Sequence, residues 1–432
     1  MLKSIDVSTC NFLAVKEVRE KLEAEGYKEL DPSKPFGRLD GNKYYFEKNG
    51  SAIFAVNIGD GIREGKGFHI VAAHSDSPCF KLKPRPEIIA ADGTVFLNVE
   101  KYGGGILYTW FDRPLSMSGR VMLKGGDALH PVERVFDLRE PVATIPHLAI
   151  HFNREVNSGN KLSVQKDMKP VIGRFGKKEL EEFGRKGGVI NALIARHLQV
   201  DPSEILSSEI CLYPVGSPVV NGVGHEYIMS GRLDDLSMVY CGLYALLEAD
   251  REKDRSGHTR VLAVFDNEET GSGTKQGAHS PYLKNMLGRI CEAVDPEGRD
   301  TLHRNLANSF LISADNAHAF HPNYPEKYDP VNHPEINGGP VIKINANCKY
   351  MTDAQGAAVF AGLCREADVP CQYFVNHGDV AGGSTLGNIL TMQLEIPGVD
   401  MGCALWGMHS ACETGGVFDH VATAKVFKKF FV

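Results

Sequence analysis

The chain reads as an α/β fold, a central mixed sheet flanked by helices, interrupted by an inserted, mostly β domain. Three features point to this. Residues 68–73 form a short, continuous apolar run of the kind that makes a buried strand of an α/β sheet. From about residue 89 to 223 the pattern changes to short strand-like runs and many turns, and from Gly231 alternating helix-like and strand-like segments return. The chain has 432 residues, more than the roughly 250–300 at which a single core stops growing. Residues 1–88 with 226–432 are therefore expected to form one domain and residues 89–225 the insertion.

The elements follow in order. A helix is expected over residues 8–25, capped by Ser8 or Thr9 and ended by Gly26. Strands at 44–46 and 52–58 come next, with Gly41-Asn42 as the turn. The insertion carries strand-like runs at 94–99, 115–123 and 135–138, and a helix at 188–198 that stops before Pro202. Beyond it, helices are expected at 233–248, within 273–287, at 353–368 and at 421–431. Strands are expected at 260–265, 310–313, 372–375, 393–396 and 402–406.

Composition narrows the class. Hydrophobic residues make up 43%, which suits a globular protein and argues against disorder. The net charge is -7, so nothing electrostatic favours nucleic acid or an anionic membrane as partner. The N-terminus has no long apolar segment of the secretory type, and no window approaches the ~18 apolar residues of a membrane helix. None of the ten cysteines forms a CxxC pair, and most, such as Cys211, Cys241, Cys291 and Cys403, lie in apolar runs. They read as reduced, buried thiols of a cytoplasmic protein.

Four chemistry-bearing residues follow apolar, strand-like runs: His74 after FHIVAA, Glu269 after RVLAVF, Asp315 after FLIS and His409 after CALWG. In open α/β sheets, ligands gather outside the carboxyl ends of strands. Asp234 opens an expected helix and can point into the same crevice. Two imidazoles and three carboxylates suit zinc, cobalt or manganese better than calcium. Three carboxylates and one hydroxide neutralise two divalent ions, which makes burial tolerable. Asp76 is placed to accept a bond from the His74 ring. Taken singly, each of these residues has an ordinary reading as a polar group at a loop or strand end. A glycine-rich stretch at 271–277 lacks the spacing of a phosphate loop, and no nucleophile-elbow serine is present.

Six segments change the weight of the set. VAAHSDSPCFKLKP, SGRLDDL, FDNEETGSGT, ISADNAHAFHPNYPEKY, GPVIKINAN and GMHSACET occur in family order and span nearly the whole chain. Together they resemble the aspartyl aminopeptidase family of dinuclear metallopeptidases. The resemblance implies a zinc-exopeptidase-type catalytic domain and a β-rich dimerisation domain as the insertion. It implies removal of N-terminal Asp or Glu from peptides, with two divalent ions per subunit, zinc first and cobalt or manganese as alternatives. By resemblance His74, Asp234 and Asp315 hold one ion, and Asp234, Glu269 and His409 hold the other. Glu268 is then the general base, and Asp234 is chosen over Asp235 as the bridge.

The resemblance reaches further residues. His151 in PHLAIHFNRE would enter the partner subunit's site, with His147 as the competing choice. Lys343 in VIKIN would face the acidic side chain of the substrate; the ordinary reading is an edge-strand lysine. His318 would line the pocket or pack, and Gly382 and Gly383 would belong to a substrate-side loop. That loop departs from the usual form, since Ala381 precedes Gly382-Gly383 and Asn388 follows Gly387. A dimer-based homo-oligomer, a tetrahedral dodecamer, is the assembly the resemblance implies. The related alternatives are a dinuclear aminopeptidase preferring neutral residues and a catalytically silent assembly or cargo protein on the same fold.

Overall fold

The structure is a computed structural model that describes residues 1–252 and 257–432. The chain forms two compact units, one of residues 1–76, 218–408 and 413–432, the other of residues 77–217 and 409–412.

The first unit is built on a nine-stranded mixed sheet. Its strands are β1 (Lys28–Glu29), β2 (Lys43–Lys48), β3 (Ala52–Asn57), β4 (Phe68–His74), β5 (Thr259–Phe265), β6 (Phe310–Ala314), β7 (Val341–Ile344), β8 (Gln372–Val375) and β9 (Gly398–Gly402). They lie in the order β1-β2-β3-β5-β4-β6-β9-β7-β8. The four central strands, β5, β4, β6 and β9, are mutually parallel. Their apolar runs are continuous because both faces are covered. Val71 and Ala73 of β4 pack into the core on one face, Ile70 and Ala72 into the core on the other.

Helices supply the covering layers: α1 (Leu2–Val7), α2 (Asn11–Ala24), α3 (Leu233–Ala249), α4 (Tyr282–Val294), α5 (Ala354–Glu366), α6 (Leu386–Leu394) and α7 (Val417–Phe431). The first core draws on α2, α3, α5 and α7, the second on α4 and α6. A smaller five-stranded sheet, from Val219–Asn221 to Ala317–His318 at its edges, completes the unit.

The second unit is a six-stranded antiparallel sheet of Val132–Asp137, Leu115–Leu123, Ile205–Pro214, Cys79–Ile89, Thr94–Tyr102 and Val171–Arg174, in that order. Helices Lys177–Arg185 and Val189–Leu198 accompany it. Phe80, Leu97, Trp110, Met117, Ile194 and Leu212 belong to its own core.

Three sequence expectations are corrected. The helix expected over 8–25 is α2 and starts only at Asn11; Ser8 lies outside it, at the end of the separate α1, where its hydroxyl donates back to the Ser4 carbonyl at 2.7 Å. The hairpin between β2 and β3 turns at Asn49-Gly50, both with φ above +60°, and not at Gly41-Asn42. Residues 393–396 are not a strand. Leu386, Leu390 and Leu394 recur at helical spacing and are all buried, so α6 forms there and the strand begins at Gly398.

Candidate metal centre

The parallel strands β4, β5 and β6 deliver their carboxyl ends to one edge of the sheet. His74 is the last residue of β4, Asp315 follows β6, and the Glu268-Glu269 pair lies three residues beyond β5. Asp234 and Asp235 sit at the start of α3 with non-helical backbone (φ -82° and -119°), which detaches them from the regular helix behind.

The DNEE turn is shaped by its first two residues. Asp266 is buried and its carboxylate accepts from the Asn267 N–H and from the Asn11 amide, so it serves the backbone. Asn267 takes a left-handed conformation (φ +62°), and its side-chain oxygen accepts from Thr274 and Gln276 at 2.8 Å. The turn is then held from the other strand. Asp76 Oδ1 accepts the Glu268 N–H and Asp76 Oδ2 the Glu269 N–H, both at 3.2 Å.

Asp76 also orients His74. The His74 Nδ1 donates to the Asp76 carbonyl at 3.0 Å, which leaves Nε2 as the ligating nitrogen, 3.8 Å from Asp234 Oδ1. Asp235 braces the same strand: its Oδ2 accepts the His74 N–H at 3.1 Å, and its Oδ1 accepts from the Asn316 amide. The Asp234 N–H donates to Glu413 Oε2 at 3.0 Å.

Ligand atoms of His74, Glu268 and Asp315 lie within 4.8 Å of one another, as do those of His74, Asp234 and Asp235. The Asp234 and Glu269 carboxylates meet the same limit. The charges strain this cluster. Burial first, then the Asp315 carboxylate, push Glu268 up to about 8. Burial also holds Asp235 well above the usual carboxylate range, with Asp315 and Asp234 adding to it against the pull of His74. Burial disfavours a charged His74, yet Asp235, Asp76 and Glu268 outweigh it and raise the imidazole well above its ordinary value. Buried carboxylates around an imidazole nitrogen, each destabilised by the others, are the donor set that a divalent cation relieves. The residues therefore fit zinc.

The remaining expected residues fall in distinct places. Lys343 is not on an edge strand: β7 lies between β9 and β8, and the side chain is 2% exposed. Its ammonium donates to Asp315 Oδ1 at 3.0 Å and to the Asn316 carbonyl at 3.2 Å. Burial opposes that charge, but Asp315, Tyr350 and Asp400 keep its pKa above the ordinary value. His318 is exposed at the end of a short strand, its ring edge-on to Phe374 at 5.8 Å. A side chain on Gly382 would meet the Asn376 amide at 2.5 Å, whereas Gly383 faces open space.

In the second unit, His147 is tied down: its Nδ1 lies 2.6 Å from Asp112 Oδ2 and its ring stacks on Phe111. His151 is exposed in a turn beside exposed Leu148, Ile150 and Phe152. His409 belongs to this unit, with φ +67° and its carbonyl accepting the Ile106 N–H at 2.9 Å.

Sequence reasoning passed over Glu413 and Asn316, and treated Asp235 only as a rival ligand. Their signal was weak. Each adjoins a quoted motif residue, but what it does depends on a partner far along the chain.

Residues 4–431 match a family described as aminopeptidase I zinc metalloprotease (M18). The chain belongs to the M18 aminopeptidase family. A probable M18 family aminopeptidase 2 of Clostridium novyi (strain NT) is 43% identical over 431 residues, covering 100% of this chain and 97% of that protein. Among solved structures, the Ape4 and Nbr1 complex matches with TM-score 0.94 and 35% identity over 100% of this chain and 84% of that one. The S. cerevisiae mApe1 dodecamer matches with TM-score 0.85 and 27% identity over 100% of this chain and 95% of that one. The M18 assignment agrees with the aspartyl aminopeptidase resemblance of the six motifs, and with the mixed α/β fold. This M18 chain is accordingly a metallo-aminopeptidase, a hydrolase acting on peptides, in a family described by its zinc.

Proposed function

We propose that the protein removes N-terminal acidic residues, Asp or Glu, from peptides at a centre of two divalent ions. His74, Asp234 and Asp315 would hold one ion, and Asp234, Glu269 and His409 the other. The observation that carries this reading is the double hold of Asp76 on the amides of Glu268 and Glu269. It presents two adjacent carboxylates to the same imidazole cluster, one for a metal and one for a proton. Bound divalent ions supply Lewis acidity toward a carbonyl and lower the pKa of water.

Glu268 does the proton work in this reading. Its carboxylate takes the proton of the attacking water and returns it to the leaving amine. Asp76 holds the backbone of the Glu268-Glu269 turn and, through its carbonyl, the His74 tautomer. Asp234 is kept as the bridging ligand over Asp235, a choice supported by the two bonds that engage Asp235, to the His74 N–H and to Asn316. Lys343 places a fixed positive charge against Asp315; in the proposed preference for acidic residues it would face the substrate's acidic side chain. His318, Gly382 and Gly383 would border the substrate.

We assign the trans-acting role to His151 and not His147, because Asp112 and Phe111 already engage the His147 ring. Exposed apolar neighbours of His151 suit burial against a second copy. The dodecameric mApe1 of S. cerevisiae supports a homo-oligomer, and light scattering of the purified protein tests the count. Among the described residues no helix is long and apolar enough to cross a membrane; a cytoplasmic site of action is part of the proposal.

Hydrolysis of Asp-, Glu- and Leu-anilides by zinc-reconstituted protein decides the substrate. Preference for Asp and Glu is the expected result, and preference for Leu would refute the acidic specificity.

A further inference from the structure

The C-terminus of α5 folds back on itself. The Asp368 N–H donates to the Arg365 carbonyl at 3.1 Å and the Val369 N–H to the Cys364 carbonyl at 3.0 Å, with Asp368 in the left-handed region at φ +54°. This pair of bonds is the Schellman ending of a helix, and it returns the chain over the turn it has just left. Pro370 follows with its φ fixed by the ring. It sits so close to Gly339 that a side chain there would meet the Pro370 carbonyl oxygen at 2.5 Å. The Gln372 N–H then donates to the Pro340 carbonyl at 2.9 Å, and β8 begins.

The returning chain brings Cys371 back to Cys364. Cys364 is 1% exposed within the first core, and Cys371, half-buried, packs against that same core. Both are free thiols, and their side chains are hydrogen-bonded to each other. Backbone bonds fix the chain before and after the five residues between them, so the pair is held together.

The two thiols are not equivalent. The shared hydrogen bond, with burial adding to it, raises Cys364, whereas the same bond lowers Cys371 against the effect of burial. The thiolate is the reactive form of cysteine. Cys371, the more accessible of the two, is therefore the one that meets a reagent from solvent, and Cys364 is the one that follows.

We infer that Cys364 and Cys371 form a modification site, a dithiol that a small-molecule disulfide such as oxidised glutathione converts to an intramolecular disulfide. The Cys371 thiolate attacks one sulfur of the oxidant. That S–S bond breaks, and one glutathione leaves with the proton that Cys371 lost. Cys364 then attacks the Cys371 sulfur of the mixed disulfide, gives up its own proton and expels the second glutathione. Two protein thiols are oxidised, and one glutathione disulfide is reduced to two thiols. The new bond ties the end of α5 to the start of β8, whose Phe374 pairs with Lys343 of β7. The inference does not depend on which residue the enzyme removes from peptides.

Trypsin cuts after Arg365 and so separates the two cysteines. The full, zinc-loaded protein is incubated with oxidised glutathione, quenched in acid and denatured with N-ethylmaleimide. The non-reduced digest is then read by mass spectrometry. The Cys364 and Cys371 peptides are expected to be joined, lighter by two hydrogens than their sum, and to come apart with dithiothreitol. Cys364→Ser should leave a lasting mixed disulfide on Cys371, and Cys371→Ser should abolish the joined peptides. A mixed disulfide that persists on Cys371 of the unaltered chain overturns the inference. So do two unmodified thiols, or a Cys364 or Cys371 joined to another cysteine instead. The digest of the unaltered chain decides even where a variant does not fold.

Discussion

The Oδ1 atom of Asp76 accepts the backbone N–H of Glu268 at 3.2 Å, across 192 positions of sequence. Its twin oxygen accepts the next N–H, that of Glu269, and the Asp76 backbone carbonyl accepts a hydrogen bond from the His74 ring Nδ1–H. One residue thus sets the positions of an imidazole and two carboxylates. Asp76→Ala is expected to lower metal affinity or kcat by about 10–100-fold, the usual cost of losing such an outer partner. Isothermal titration with zinc and initial-rate kinetics measure the two. Unchanged values for both would show that the turn holds without Asp76.

Glu268→Gln keeps size and hydrogen-bonding capacity but cannot take a proton. Metal content and fold should persist, while kcat falls by about 10²–10⁴-fold. Metal analysis beside steady-state kinetics checks this. If kcat is retained, Glu268 is not the base.

Lys343 and Asp315 form a buried ion pair, 3% and 11% exposed at the side chain. Removing one member of such a pair costs about 3–5 kcal/mol, because the other charge is left uncompensated. Lys343→Met should therefore lower the stability of chelator-treated protein strongly, and that of zinc-loaded protein less, since a cation then faces Asp315. Denaturant unfolding in both states reads this out. The same variant separates two roles of Lys343. A parallel loss on Asp- and Leu-anilides indicates positioning through Asp315, and a loss confined to Asp and Glu indicates contact with the substrate.

His69 gives the fold a pH dependence. Its ring stacks on His258 at 3.9 Å and on Phe430 at 4.5 Å, and its Nδ1 lies 2.6 Å from the Phe430 carbonyl. Burial, then the neighbouring His258, lower its pKa from 6.5 to about 4. The unfolded chain thus binds a proton more readily than the folded one between these values. Stability from this residue is complete above about pH 6.5 and declines as pH falls toward 4. In chelator-treated protein, the loss of stability on acidification through that window should be smaller for His69→Phe than for the unaltered chain. Parallel pH profiles from denaturant midpoints would remove His69 as the source.

Periodicity and residue type carried much of this protein. The buried run that ends at His74 and the apolar segments before Asp266 and Asp315 were legible because a strand covered on both faces must be continuously apolar. The family membership rested on ordered motifs that any folding of the chain preserves. Local competition was less legible. Residues 393–396 look like a strand until Leu386 and Leu390 are seen on the same buried face of α6. Asn49-Gly50, and not Gly41-Asn42, closes the hairpin.

The sequence by itself determined which residue types could hold a cation and which strands would carry them. Tertiary structure alone decided what each acid does. Asp266 turns back to Asn11, Asp235 braces β4, Asp76 grips the Glu268-Glu269 turn, and Lys343 meets Asp315 and not solvent. These choices depend on the register of parallel strands joined by long crossovers. A one-residue shift would send each side chain to the opposite face, and no short-range pattern encodes which register is taken.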